Sequence, residues 1–119
     1  MNERVLLTKE QILAADDMTT ETVDVPEWGG SVVVRTLTGT ERDQLEASVV
    51  GDGDRRDLVG LRAKYAALSI VDIDGKRVFT FEDVEALGRK SATALDRVFE
   101  VCLRLSRMSR GDMEKLRGN

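Results

Sequence analysis

Chemistry has few places to start in this chain, because it contains no histidine. That removes the commonest general base and the commonest transition-metal ligand together. Ser31, Ser48, Ser69, Ser91, Ser106 and Ser109 therefore have no imidazole to activate them, and capping or turn roles account for most of them. Asp72-Ile73-Asp74-Gly75 has the alternating oxygens and the glycine that open a calcium loop, but a third oxygen before the glycine and a distal bidentate glutamate are missing. A solvated hairpin turn is expected there, and no metal. Gly51-Asp52-Gly53-Asp54 lacks the lysine and the glycine spacing of a phosphate loop and reads as a flexible break. Glu82 and Asp83 match the positive end of a helix dipole. The single cysteine, Cys102, falls on an apolar helical face and reads as a small core residue. No catalytic residue, cofactor or metal site is expected, and an enzyme is the least favoured class.

What remains is contact chemistry. Trp28, the only tryptophan, follows Pro26-Glu27 and precedes Gly29-Gly30. It is either a lid over the core or an anchor offered to a partner. Val101 and Met108 on one flank of the main apolar helix, and Leu103 on the other, widen its stripe beyond what one small domain needs. Trp28, Val101, Leu103 and Met108 are the expected partner-binding residues, with methionine suited to adaptable contacts.

The element that must position most of these is a helix over residues 91–107, opened by Ser91 as N-cap. Leu95, Val98, Phe99, Cys102 and Leu105 recur at the spacing of one buried face. Ala94, Val101 and Met108 flank that stripe on one side, Ala92 and Leu103 on the other. Thr93, Asp96, Arg97, Glu100, Arg104 and Arg107 make a polar strip, with Glu100 placed to pair with Arg104.

Earlier in the chain, Thr8 and Gln11 form a capping box for a short helix through Ile12 and Leu13. Val23 and Val25 alternate with Thr22 and Asp24, Pro26 stops that strand, and Val32 and Val34 share a face of the next. Residues 22–36 thus read as a hairpin with Val23, Val25, Val32 and Val34 buried. Thr38 and Glu41 open a helix with Leu45 and Val49 inward. Leu58, Leu61, Tyr65 and Leu68 mark an amphipathic helix of about four turns. Ile70-Val71-Asp72-Ile73 and Arg77-Val78-Phe79 flank Asp74-Gly75, a tight-turn dipeptide. Thr80 caps a short helix through Val84 and Leu87 ending at Gly88, and Ser109 with Asp112 begins a last turn near Leu116.

A chain of 119 residues makes one domain, here residues 1–119. The expected fold class is α+β, mainly helical with an N-terminal β-hairpin and a small central hairpin. Aromatics at 4% and charged residues at 34% argue against an aromatic-rich β-sandwich. The net charge of −4 combines −6 over residues 1–50 with +2 over the remainder, which is no nucleic-acid footprint. A regulator using Arg97, Arg104, Arg107, Arg110, Lys115 and Arg117 against phosphate is the less favoured alternative. Residues 1–9 lack a signal peptide's apolar run and no stretch approaches a membrane span, so the expectation is a cytoplasmic protein with neither membrane nor nucleic acid as partner.

Val25-Pro26-Glu27-Trp28-Gly29-Gly30, then Val34-Arg35-Thr36-Leu37-Thr38-Gly39 with Glu41-Arg42, Leu68-Ser69-Ile70-Val71-Asp72 to Asp74-Gly75, and Leu87-Gly88 with Lys90-Ser91 resemble the tail assembly chaperones of long-tailed bacteriophages. The likeness lies in order and spacing over roughly residues 8–110. It implies a small protein of the infected host cytoplasm, absent from the finished virion. Such a protein holds the long tape measure protein soluble and helps recruit tail tube protein around it. The family also implies a longer form made by frameshifting, itself a partner, and self-association into a homo-oligomer is among the states left open. A structural tail or head-completion component of the virion is the competing reading. The resemblance carries no site residues with it.

Overall fold

The computed structural model describes residues 4–50 and 58–107. The expected α+β class is observed: a three-stranded antiparallel sheet in the order β1-β2-β3, with helices on it and around it. The elements are α1 (Lys9–Ala14), β1 (Thr20–Val25), β2 (Gly30–Arg35), α2 (Gly39–Val49), α3 (Leu61–Ser69), β3 (Ile70–Val71), α4 (Val84–Gly88) and α5 (Ala92–Arg107).

The N-terminal hairpin begins at Thr20, two residues earlier than the alternation suggests, and runs in register from Thr20 opposite Arg35 to Val25 opposite Gly30. Val23, Val25 and Val34 are buried, and Val32 is half-buried. Glu21 shares their face, one strand repeat from Val23. Pro26–Trp28 forms a single 3₁₀ turn at the tip, and Gly29 reverses the chain at φ 76°, a conformation open to glycine at little cost. On the opposite face Ser31 donates to Asp24 across the pair at 2.6 Å.

α5 begins where its cap places it. The Ser91 hydroxyl accepts the Ala94 N–H at 3.1 Å. Leu95, Val98 and Cys102 are buried as the periodicity requires, whereas Phe99 and Leu105 are half-buried. Ala94, expected on a flank, is fully buried at the centre of the face. The expected Glu100–Arg104 pair gives way to a longer connection, in which Arg104 donates to both carboxylate oxygens of Glu21 at 2.8 and 2.7 Å. A carboxylate fixed on a strand offers a bidentate partner that the helix's own surface does not.

The most enclosed helix is α3, in which every residue from Ala63 to Ser69 is buried. It packs against α5, α4, α2 and β2. Three alanines, Ala63, Ala66 and Ala67, at 1, 0 and 0% exposure, let those neighbours approach closely. Contrary to the four-turn helix expected from Leu58, α3 starts at Leu61, and Leu58 is exposed. Gly60, left-handed at φ 77°, separates the two. Two polar groups are accommodated in this helix: Ser69 Oγ donates to the Tyr65 carbonyl at 2.6 Å, and Lys64 Nζ to the Ser48 carbonyl at 3.3 Å. Tyr65 meets Phe99 edge-on, ring centres 5.2 Å apart, and the Arg62 guanidinium lies over the Phe99 ring.

The central hairpin is present in a shortened form. β3 has two residues, extended by a bridge from Val71 to Arg77 and by Val78 donating to the Ile70 carbonyl. Its turn sits one residue before Asp74-Gly75: Gly75 N–H reaches the Asp72 carbonyl, Ile73 and Asp74 occupy the corner, and Gly75 is left-handed at φ 81°. Asp72 Oδ1 accepts from the Asp74 and Lys76 N–H groups, so this carboxylate serves the turn. Both N-terminal capping boxes of the sequence form, Thr8 with Gln11 and Thr38 with Glu41, and Thr80 makes a third with Asp83. The expected turn near Leu116 and the Gly51 to Asp54 break lie outside the described residues. Among the described residues no helix is long and apolar enough to cross a membrane.

Candidate partner-binding groove

Where the tip of the N-terminal hairpin approaches α4, the surface opens into a groove of about 400 Å³. Trp28, Phe79, Ala86 and Leu87 supply its apolar wall, and Glu27, Asp83 and Lys90 its charged rim. Each arrives for a local reason. Pro26 fixes the entry into the 3₁₀ turn, Gly29 reverses it, and Trp28 between them is turned onto the core, against which it packs half-buried. Phe79 follows the shortened central hairpin. Ala86 and Leu87 stand on α4, whose entry is fixed by the Thr80 N–H donating to Asp83 Oδ2 at 2.8 Å.

An ion pair holds the groove's hairpin side in place. Arg97 of α5 grips Glu27 with two parallel hydrogen bonds, Nε to Oε1 at 2.8 Å and Nη2 to Oε2 at 3.0 Å. The Arg97 hydrogen bond holds the Glu27 carboxyl below its usual range, and Glu27 in turn raises the Arg97 guanidinium.

The charged groups of the groove are Glu27, held by Arg97, Asp83, which accepts from the Thr80 N–H, and Lys90, and among the described residues no three His, Cys, Asp or Glu side chains converge as a metal site. Cys102 is buried beside Ser69 Oγ at 2.9 Å, and burial pushes its thiol up to about 11. It is a core thiol rather than a reactive one. The groove can do contact chemistry: its volume lies at the small end of ligand-sized cavities, enough for a few aliphatic side chains, with an acidic excess at the rim.

Of the four residues expected to bind a partner, Trp28 lines this groove. Val101 and Leu103 are half-buried further along α5, packed against the core cluster, and do not line it. Met108 lies outside the described residues. Trp28 packs against the core cluster, as a lid would, and it also lines the groove. The sequence contained Phe79 and Leu87 only as members of local elements and gave Ala86 no role. Nothing in their spacing brings them to Trp28, because tertiary packing makes that contact. Arg97 and Arg104, two members of the phosphate-binding alternative, are each engaged by a glutamate of the hairpin.

No family model matches the chain, and no curated protein matches it. Among solved structures, the bacteriophage HK97 tail assembly chaperone superposes with a TM-score of 0.60 at 22% identity, covering 81% of this chain and 94% of that one. The chain has the fold of a bacteriophage tail assembly chaperone.

Proposed function

We propose that this protein is a tail assembly chaperone that binds the tape measure protein, keeps it soluble in the host cytoplasm and helps recruit tail tube subunits around it. The observation that carries the reading is the fold shared with the HK97 chaperone over nearly the whole of that chain. The Trp28 groove supports it, because holding a long aggregation-prone client calls for an apolar seat with a polar rim and no catalytic machinery. Trp28 is the anchor of that seat, and Val101 and Leu103 extend the contact along α5.

The test is co-expression with the tape measure protein of the same phage. The tape measure protein stays soluble and is recovered with this chain, while Ala86→Arg, which obstructs the groove from an exposed position, leaves it in the pellet. Equal precipitation with and without the chaperone overturns the reading, and so does recovery of the protein as a stoichiometric part of purified virions.

A further inference from the structure

β1 stands at the end of the sheet order β1-β2-β3 and has a neighbour on one side only. In an antiparallel pair, residues alternate between exchanging both backbone hydrogen bonds with the neighbour and pointing those groups away from it. The register, with the Thr36 N–H donating to the Thr19 carbonyl, puts Glu21, Val23 and Val25 in the first class. Thr20, Thr22 and Asp24 fall in the second. Their backbone N–H and C=O groups point out of the sheet and have no hydrogen-bond partner among the described residues. All three residues are exposed, since α5 packs on the face of β1 that carries Val23 and Val25. We infer that this edge of β1 receives an extended, basic segment of another protein as an added strand.

Charge along the strand selects that occupant. Residues 16–27 contain five acidic side chains and no basic one. Arg104 holds Glu21 and Arg97 holds Glu27. Asp16 accepts from the Met18 N–H and Asp24 from the Ser31 hydroxyl, so Asp16, Asp17 and Asp24 are left without a cation among the described residues. The β1 edge of a second copy brings the same carboxylates and is repelled. A strand alternating β-branched residues with lysine or arginine meets both demands. Its backbone pairs with Thr20, Thr22 and Asp24, its cations stand on the face of Asp24, and its β-branched side chains continue the face of Val23 and Val25. Backbone pairing of this kind recognises an extended chain with little regard to its exact sequence.

The edge is separate from the Trp28 groove and its test contains no tape measure protein, so this inference and the proposed function fail independently. The probe is a capped synthetic peptide alternating valine and lysine, added to the isotope-labelled full chain and followed by amide hydrogen exchange. Exchange of the Thr20, Thr22 and Asp24 N–H groups is expected to slow at least about tenfold, while that of Glu21, Val23 and Val25, already paired in the sheet, changes little. A peptide alternating valine and glutamate binds at least about tenfold more weakly, and so does the lysine peptide to Asp16→Asn with Asp17→Asn and Asp24→Asn. Thr22→Pro removes one outward donor at a position an edge strand tolerates, and it abolishes the protection. The lysine peptide methylated on its lysine backbone nitrogens, which face β1 when lysine stands opposite Asp24, does not bind. That arm leaves the protein unaltered and covers the case of a Thr22→Pro chain that does not fold. Equal protection by the methylated peptide, equal affinity for the glutamate peptide, resonance changes confined to the Trp28 groove, or no binding of the lysine peptide overturns the proposal.

Discussion

Arg97 and Glu27 lie 70 residues apart in sequence and meet through two parallel hydrogen bonds of 2.8 and 3.0 Å, so α5 grips the tip of the hairpin beside Trp28. The orientation of Trp28 thereby depends on a surface ion pair. At the other end of the hairpin Arg104 holds Glu21 from Nη2 alone, which donates to both carboxylate oxygens, and the Arg104 guanidinium is raised by that contact. Two clamps of the same polarity fix how the sheet lies on the helix.

Glu27→Gln therefore releases the hairpin tip, read as a change in Trp28 emission with little change in overall fold. Because Arg97 lowers the Glu27 carboxyl from its ordinary 4.5, the clamp's contribution is fully present above that value and fades as pH falls through the lowered one. The wild-type emission accordingly shows an acid transition below the ordinary carboxylate range. An identical acid transition in Glu27→Gln shows that another group controls the tip.

Glu41 is the buried counterpart of these pairs. Its carboxylate accepts from Arg35 Nη2 at 2.7 and 2.8 Å, from Arg77 Nη1 at 3.4 Å and from its own cap, the Thr38 N–H, at 2.8 Å. The Arg35 and Glu41 side chains are only 16% and 10% exposed, and Arg35 Nε has no hydrogen-bond partner, so the guanidinium already depends on this contact. Removing one member of a buried pair costs about 3–5 kcal/mol. Glu41→Ala should lose about that much in urea unfolding, and Arg35→Met with Glu41→Leu markedly less. Equal losses for the single and double changes mean that the pair itself, and not a stranded buried charge, carries the stability.

Ala66 is fully buried on the helix that four other elements enclose. Added volume has nowhere to go, so Ala66→Leu costs about 1–3 kcal/mol or more. Ala47→Leu, on the exposed side of α2, serves as the control and stays within about 0.5 kcal/mol of the wild type. Thermal unfolding of both variants checks the difference.

Burial raises the Cys102 thiol from 9.0 to about 11, against the weaker opposing effect of its hydrogen bond with Ser69. Above pH 9 the unfolded chain gives up this proton and the folded one keeps it, so stability is full below 9 and declines as pH rises toward 11. The loss attributable to this group is about 2–3 kcal/mol over that window. It appears as a steeper alkaline decline for the wild type than for Cys102→Ala. The same burial leaves the thiol unreactive toward an alkylating reagent until the protein unfolds.

What the sequence by itself determined was local. Val23, Val25 and Val34 placed the hairpin's buried face, Thr8, Thr38, Thr80 and Ser91 placed helix starts, and Leu95, Val98 and Cys102 placed the inner stripe of α5, because periods of 2 and 3.6 and a capping oxygen act over a few residues. The order of motifs also pointed to the chaperone fold that the HK97 structure shares. Tertiary structure decided the rest. The spacing of Leu61, Tyr65 and Leu68 marked α3 as a helix, but that it rather than α5 is the most enclosed one follows from small alanines, whose burial depends on what surrounds them. That Arg104 turns to Glu21 and Arg97 to Glu27, that Glu41 gathers two arginines, and that Phe79, Ala86 and Leu87 meet Trp28 in one groove are contacts between elements far apart in the chain. Such contacts exist only after the sheet and helices have docked, because a side chain reaches a few ångströms in space and carries no mark in sequence of which distant residue will stand there.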